Sequence, residues 1–365
     1  MIGSYGQNAP VSVDACALMF AEFGRTATKR APLYAQLSAG IAADDELASL
    51  LLTAPVTQRQ PVLLFACVHA LLLDGHDDQL ARHYPNLTPD PDRSDPLPAF
   101  RAFCRSNRSQ LEHLLRTRST QTNEIGRCAL LLPAFGLVAA EVGALAHLDV
   151  GASAGLNLLL PRYRYRYEPQ GADGEATIVG DASPVVLACG TRGAVPIPAT
   201  MPKIVRSRGL DRTPIDAHDE EQARWLEACV WPDQIDRFER LRAALDLART
   251  TELDVRMGDA VADVNAHVEE LATVGHPVVT NTWVLNYLTG RQRTDYVSTL
   301  DALGSRLDLS WIYAESPFLT PELPGPSDDA FVERTVLALV RWRRGRRVVA
   351  HLADTHPHGY WMHWR

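Results

Sequence analysis

A chain of 365 residues is too long for one small domain and suits two packed units, or one large α/β domain with additions. Its 46% hydrophobic content is enough for a sizeable core, while a net charge of −8 and a pI near 5.8 argue against a general nucleic-acid binder, which needs a basic face to displace counterions. Six scattered cysteines form no CxxC pair and point to a reducing compartment without a structural zinc.

Residues 1–10 carry no basic region followed by an apolar run, so no secretory signal is expected. From 11 to 145 the pattern is helical. Cys16, Met19, Phe20 and Phe23 recur at helical spacing, and the run 62–73 is apolar almost all round, as in a core helix. A Pro- and Asp-rich loop, 85–98, separates these from an amphipathic face running from Leu97 to Leu115. The apolar stretch 128–140, interrupted by Pro133 and Gly136, reads as a buried helix rather than a membrane span. A soluble, cytoplasmic protein with no membrane partner is the expectation.

From His147 onward, short β-rich runs alternate with helical ones. The runs are 147–150, 204–208, 253–257, 277–282, 309–314 and 347–352. Helical faces fall between them, marked by Ile235 to Leu245, Val261 to Leu271 and Tyr296 to Leu303. A fourth is marked by Phe331, Val332, Val336, Leu339 and Val340. The basic run Arg341, Arg343, Arg344, Arg346, Arg347 reads as the solvated end of that fourth helix. Strands separated by helices predict βαβ units in a mainly parallel sheet, with ligands bound at the carboxyl ends of the strands. The expected architecture is thus a helical domain, 1–145, and a doubly wound α/β core, 146–365. An insertion at about 162–202 follows the first strand-helix unit, and its alternating tyrosines at 163, 165 and 167 suggest a ribbon.

The first strand ends Asp149-Val150-Gly151-Ala152-Ser153-Ala154-Gly155-Leu156-Asn157. Small residues there let a ligand approach the backbone, and a helix beginning after them offers unpaired N–H groups. A plain tight turn has the same composition. The second run closes in Asp211, an acid suited to ribose hydroxyls, and the third in Gly258-Asp259-Ala260, an acid suited to an adenine amine. Each acid alone also reads as a helix N-cap. The fourth run leads through Asn281 and Trp283 to Asn286 and Tyr287, and the fifth ends in Glu315.

This order resembles class I S-adenosylmethionine-dependent methyltransferases, over roughly residues 147–352. The resemblance implies a Rossmann-like fold and a cofactor, S-adenosylmethionine, held by Asp149, Gly151, Ser153, Gly155, Asn157, Asp211, Asp259, Ala260 and Asn281. Two departures stand out: Ser153 replaces the middle glycine, and Asp211 lies 56 residues after Gly155, where about 20 is usual. The implied activity is methylation of a small molecule, contacted by Asn123, Glu124, Arg127, Trp283, Asn286 and Tyr287. Glu315, His356 and His358 are candidates for acid–base work. The trio 123, 124 and 127 equally reads as helix capping plus surface charge. The whole chain is also similar to a bacterial family catalogued as a domain of unknown function. That likeness is carried by Gln121-Thr122-Asn123-Glu124, the loop after the first strand, Val230-Trp231-Pro232-Asp233-Gln234 and His356-Pro357-His358-Gly359.

Two rival readings remain. Gly151-Ala152-Ser153-Ala154-Gly155 satisfies GxSxG, the elbow of a serine hydrolase, with Asp259 or Glu315 as acid and His351, His356 or His358 as base. The helical segment upstream and Asp149 speak against it. The other rival is a non-catalytic protein that binds a nucleotide or a partner. His356, His358 and Asp354 are too close in sequence for a good tetrahedral site, so no metal is expected.

Overall fold

Among the described residues, seven α-helices precede the first strand: α1 (Val13–Ala27), α2 (Pro32–Ile41), α3 (Asp45–Ser49), α4 (Pro61–Leu73), α5 (Leu97–Ser106), α6 (Arg108–Thr117) and α7 (Cys128–Val142). The computed structural model describes residues 10–75, 79–171, 174–321, 323 and 334–365. Strands β1 (Leu145–Val150), β2 (Arg164–Pro169), β3 (Thr177–Val179), β4 (Val186–Arg192) and β5 (Ile204–Asp211) follow. Helices α8 (Glu220–Ala228) and α9 (Ile235–Arg249) then lead to β6 (Val255–Met257), α10 (Val264–Leu271), β7 (His276–Thr282), α11 (Gly290–Gly304) and β8 (Leu309–Glu315). The chain ends in β9 (Thr335–Arg343), β10 (Arg346–Thr355) and β11 (Trp361–Trp364).

The chain divides into two compact units. One comprises residues 2–122 and 218–242, the other 123–217 and 243–365. Helix α7 therefore belongs with the strands, although its sequence continues the helical pattern of the first segment. In the helical unit, α4 begins with proline at its first turn, where a missing N–H costs nothing, and is buried on nearly every side. Its Phe65 stacks on Tyr34 at 4.2 Å between ring centroids. The face from Leu97 to Leu115 is two helices, broken at Asn107, whose φ/ψ of −109°/20° leave the helical region.

The second unit is built on an eleven-stranded sheet in the order β3-β2-β4-β11-β10-β9-β8-β7-β1-β5-β6. From β6 to β8 all neighbours are parallel, so β6-β5-β1-β7-β8 forms a doubly wound half whose order reverses at β1. Alternation along β1 divides its side chains between two faces. Ala146, Leu148 and Val150 join Val264 and Val268 of α10 and Leu300 of α11 in one core. His147 faces the other way, where Phe135 of α7 meets its ring edge-on at 5.0 Å. Helices thus cover both faces of the parallel half, which explains strands buried throughout, such as β1 and β8.

Three expectations need correction. No helix begins in the described part of 331–340, because Val336, Leu339 and Val340 lie in β9, antiparallel to β8 and β10. Phe331 and Val332 lie outside the described residues. The arginine run is not a helix end but a hairpin: Arg343 pairs with Arg346, and the two loop residues, Arg344 and Gly345, both have positive φ (51° and 73°), as a tight hairpin turn requires. The segment after the glycine loop is a seven-residue 3-10 turn, Leu156–Arg162, with Pro161 inside it, rather than an α-helix. The insertion supplies β2, β3 and β4, which extend the sheet at the edge opposite β6.

The apolar stretch also runs longer than 128–140. Ile125–Val142 is 18 residues with mean hydropathy 1.7, long and apolar enough by composition to cross a membrane. In this structure 67% of it is buried, with α7 packed on the sheet.

Candidate functional site

The carboxyl ends of β1 and β7 mark the point where strand order reverses, and the predicted residues divide there into two groups. The first surrounds the loop after β1. Gly151, Ser153 and Gly155 all have positive φ (75°, 53° and 72°), alternating with residues that do not. A Cβ at Gly151 would stand 2.4 Å from Val284 Cγ2, and one at Gly155 2.5 Å from Val255 Cγ2, so packing as well as φ requires glycine at both. The loop is tied down by acids. Asp211 Oδ2 accepts from Ser153 N at 2.8 Å and its Oδ1 from Thr213 N at 2.9 Å. Asn123 Oδ1 accepts from Leu156 N at 3.1 Å, capping the 3-10 turn.

Beneath the loop, Asp149 is 1% exposed. It accepts from Thr280 Oγ1 at 2.7 Å and from Asn157 Nδ2 at 3.2 Å, yet burial still pushes its carboxyl up to about 6. Asn157 in turn accepts from Cys128 Sγ at 3.4 Å, so its amide is spent on orienting Asp149. His147 Nε2 lies 2.8 Å from Thr280 Oγ1, and burial drives its imidazole down to about 3, leaving it neutral. A neutral Nε2–H donating to Thr280, which donates to Asp149, completes this chain.

Two predicted contacts are occupied from within. Asp259 Oδ2 takes both Arg212 Nε (2.9 Å) and Nη2 (2.6 Å), and Oδ1 takes the N–H groups of Val261 and Ala262. Burial would raise this carboxyl, but those N–H bonds and Arg212 hold it below its usual value. It is a capping residue, and the neighbouring Ala260 is buried. Asn281 is fully buried, donating to Glu315 Oε1 at 2.6 Å and accepting from Trp311 Nε1 at 2.6 Å, so it does not face a reacting group.

Glu315 is likewise 0% exposed. Besides Asn281 it accepts from Val284 N at 2.7 Å and Leu285 N at 3.3 Å. Burial lifts its carboxyl to about 7 against those bonds. It holds the loop after β7 and does not reach a substrate, contrary to the base expected there. That loop turns at Trp283, whose φ is 58° and whose Nε1 donates to Thr335 Oγ1 at 2.9 Å. Asn286 donates to Trp283 O, and Tyr287 is 57% exposed.

The second group assembles on residues 123–127. Arg127 Nη1 donates to Thr282 O at 3.0 Å, and its Nε donates to Pro357 O at 2.8 Å. One guanidinium therefore joins the end of β7 to the turn at 356–359. Glu124 Oε1 accepts from Gly126 N at 3.1 Å, and its Oε2 lies 3.1 Å from His358 Nδ1. His356 Nδ1 accepts from His358 N at 3.0 Å. Asp354 instead pairs with Arg365 at 2.7 Å and His351 at 3.2 Å, away from this cluster. Among the described residues, no group of three His, Cys, Asp or Glu is arranged for a metal ion.

Sequence reasoning passed over two residues at this edge. Met257, opposite Asp211 in the parallel register, is 77% exposed, and Phe318, just beyond β8, is 71% exposed. Nothing in the chain distinguishes them from ordinary surface side chains; only their place at strand ends does.

Ser153 is 3% exposed in a left-handed conformation, as an elbow serine would be strained, but the proposed triad partners are committed elsewhere. Asp259 and Glu315, the two acids proposed for the triad, are saturated, and neither is paired with His351, which faces Asp354, or with His358, which faces Glu124. A fluorophosphonate probe is therefore expected to leave Ser153 unlabelled in the folded protein, as read by intact mass; a stoichiometric adduct would restore the hydrolase reading.

Residues 17–364 match the model of a family described as "Uncharacterized protein conserved in bacteria (DUF2332)". No curated protein matches the chain. No solved structure matches it either.

Proposed function

The chain belongs to that uncharacterized bacterial family, and on that premise we propose that it is an S-adenosylmethionine-dependent methyltransferase acting on a small molecule. The observation that carries this reading is the charge around the glycine loop. Asp149 lies beneath it and Asp211 is bonded to its Ser153 N–H. A dinucleotide places a pyrophosphate on such a loop and needs open N–H donors there. Here Asp211 and Asn123 take those of Ser153 and Leu156, and two carboxylates would repel phosphate. The same surroundings favour a ligand with no phosphate that carries an ammonium and a sulfonium.

Asp211 would accept the ribose hydroxyls with the lone pairs left over from Ser153 and Thr213. Met257, beside it in register, would pack on the face of the base, while Asp259 has no acceptor left for the amine of the base. Gly151 and Gly155 keep the loop backbone accessible, and Asp149 acts through its charge rather than by contact. When bound, the cofactor supplies an electrophilic methyl carbon. The residues of the chain would then position an acceptor near the loop of Trp283, Asn286 and Tyr287.

Calorimetry tests this. S-adenosylmethionine and S-adenosylhomocysteine should bind the purified protein, with NAD binding undetectably. Met257→Asp, at an exposed position, should weaken binding at least 10-fold without loss of fold, since it buries a charge against an apolar base. Binding of NAD in preference to both would overturn the proposal.

A further inference from the structure

We propose that His358, held by Glu124, is the general base of this site, and that the acceptor is therefore a hydroxyl group un-ionised at neutral pH, as in a phenol or alcohol. The inference rests on the methyl-transfer reading above.

Position comes first. Asn123 caps the turn that follows the glycine loop, and Arg127 grips the end of β7. Glu124 stands between them in the chain, at the ends of β1 and β7 where the strand order reverses. The Arg127–Pro357 bond brings the turn 356–359 to the same place. Gly359, with φ of 82°, lies so close to Gly126 that a Cβ would stand 2.0 Å from Gly126 O. That approach seats His358 against Glu124.

The burial gradient within the pair is the second observation. The Glu124 side chain is 3% exposed and that of His358 25%. A carboxylate sealed beneath a more accessible imidazole is the arrangement that orients a base toward a ligand. The negative charge of Glu124, 3.1 Å from Nδ1, favours the tautomer protonated there and leaves Nε2 as the basic nitrogen. Among the described residues, Glu124 and His356 stand against His358, and Arg127 is bonded to the carbonyl of the preceding Pro357.

The chemistry then selects the substrate. Carboxylates are already ionised near neutral pH, and an amine, once its ammonium proton has gone to water, attacks as a neutral molecule. A hydroxyl gains most from a base. His358 takes the hydroxyl proton as the oxygen bonds to the methyl carbon. The carbon–sulfur bond breaks, and its electron pair stays on sulfur, which becomes a neutral thioether. The imidazolium formed beside Glu124 later releases the proton to water. Glu124 is a positioning residue and His358 a catalytic one.

The test uses full-length protein, S-adenosylmethionine with a tritiated methyl, and phenol, catechol, benzyl alcohol, benzoate and benzylamine as acceptors. Transfer to at least one hydroxyl is expected, and His358→Gln should reduce it at least 100-fold while cofactor binding by calorimetry stays unchanged. Glu124→Gln should move the acid limb of the pH profile to lower pH. By NMR it should lower the His358 ring titration by about one unit, because the imidazolium loses its carboxylate partner. The proposal falls if His358→Gln is as active as the parent, if only benzoate or benzylamine is methylated, if no acceptor is, or if the ring titration is indifferent to Glu124. Failure of S-adenosylmethionine to bind the parent would overturn the methyl-transfer reading, and this proposal with it.

Discussion

Replacing Glu315 with alanine is expected to destabilise the sheet unit by about 3–5 kcal/mol. The carboxylate bonds two backbone N–H groups, of Val284 and Leu285, and the Asn281 amide, all out of water. Alanine leaves all three unpaired, at roughly 1–3 kcal/mol each, offset in part by no longer burying the carboxyl itself. Amide exchange is the direct readout. The Val284 and Leu285 protons should exchange at least 100-fold faster, and unchanged protection would show that the loop is held by something else.

Glutamine at this position separates packing from charge. The folded pKa of Glu315, about 7, lies above its ordinary value of 4.5. Between those values the folded protein retains a proton that the unfolded chain has lost. The contribution of this group to stability is therefore greatest below pH 4.5 and declines as the pH rises toward 7. Relative to Glu315→Gln, the parent should lose up to about 3 kcal/mol over that window. Asp149, lifted to about 6, contributes a dependence of the same sign that is present in both proteins and cancels from the comparison.

The order of the parallel half was legible because its strands are short β-branched or aromatic runs broken by helical faces, as in Val278-Val279-Thr280 and Trp311-Ile312-Tyr313. β9 was misread for a physical reason. A strand paired on both sides and buried through most of its length has no alternation, and Val336 to Val340 gives a continuous apolar run that also suits a helix. β4 and β11 are less visible still, since Gly190 interrupts one and four residues make up the other. The site shows the same division. That acids stand at strand ends could be read from Asp149, Asp211 and Glu315. Which of them face a ligand could not, because what occupies them comes from far along the chain: Thr280 for Asp149, Arg212 for Asp259, and the 284–285 amides for Glu315.

Arg127 shows that difference most sharply. In sequence it reads as a substrate contact or as a surface charge beside a helix cap, but it is 7% exposed, with donors committed to Thr282 O, Thr282 Oγ1 and Pro357 O. It is also the cation that holds down the carboxyls of Glu315 and Asp149, each raised chiefly by burial. Arg127→Met should therefore cost about 3–5 kcal/mol, since it strands two carbonyls and removes the positive charge from among buried acids. Two further signs should accompany the loss. The Glu315 and Asp149 titrations should move up, and the Gly359 amide, bonded to His356 O at 3.0 Å, should lose protection as the turn comes away from β7. Arg127→Lys keeps the charge without the planar fork that spans Thr282 and Pro357, so it should restore the titrations more fully than the turn. An arginine that served only to bind substrate would give the opposite pattern, a stable variant with weakened acceptor binding, and that result would overturn the reading of Arg127 as the strut on which the Glu124–His358 pair stands.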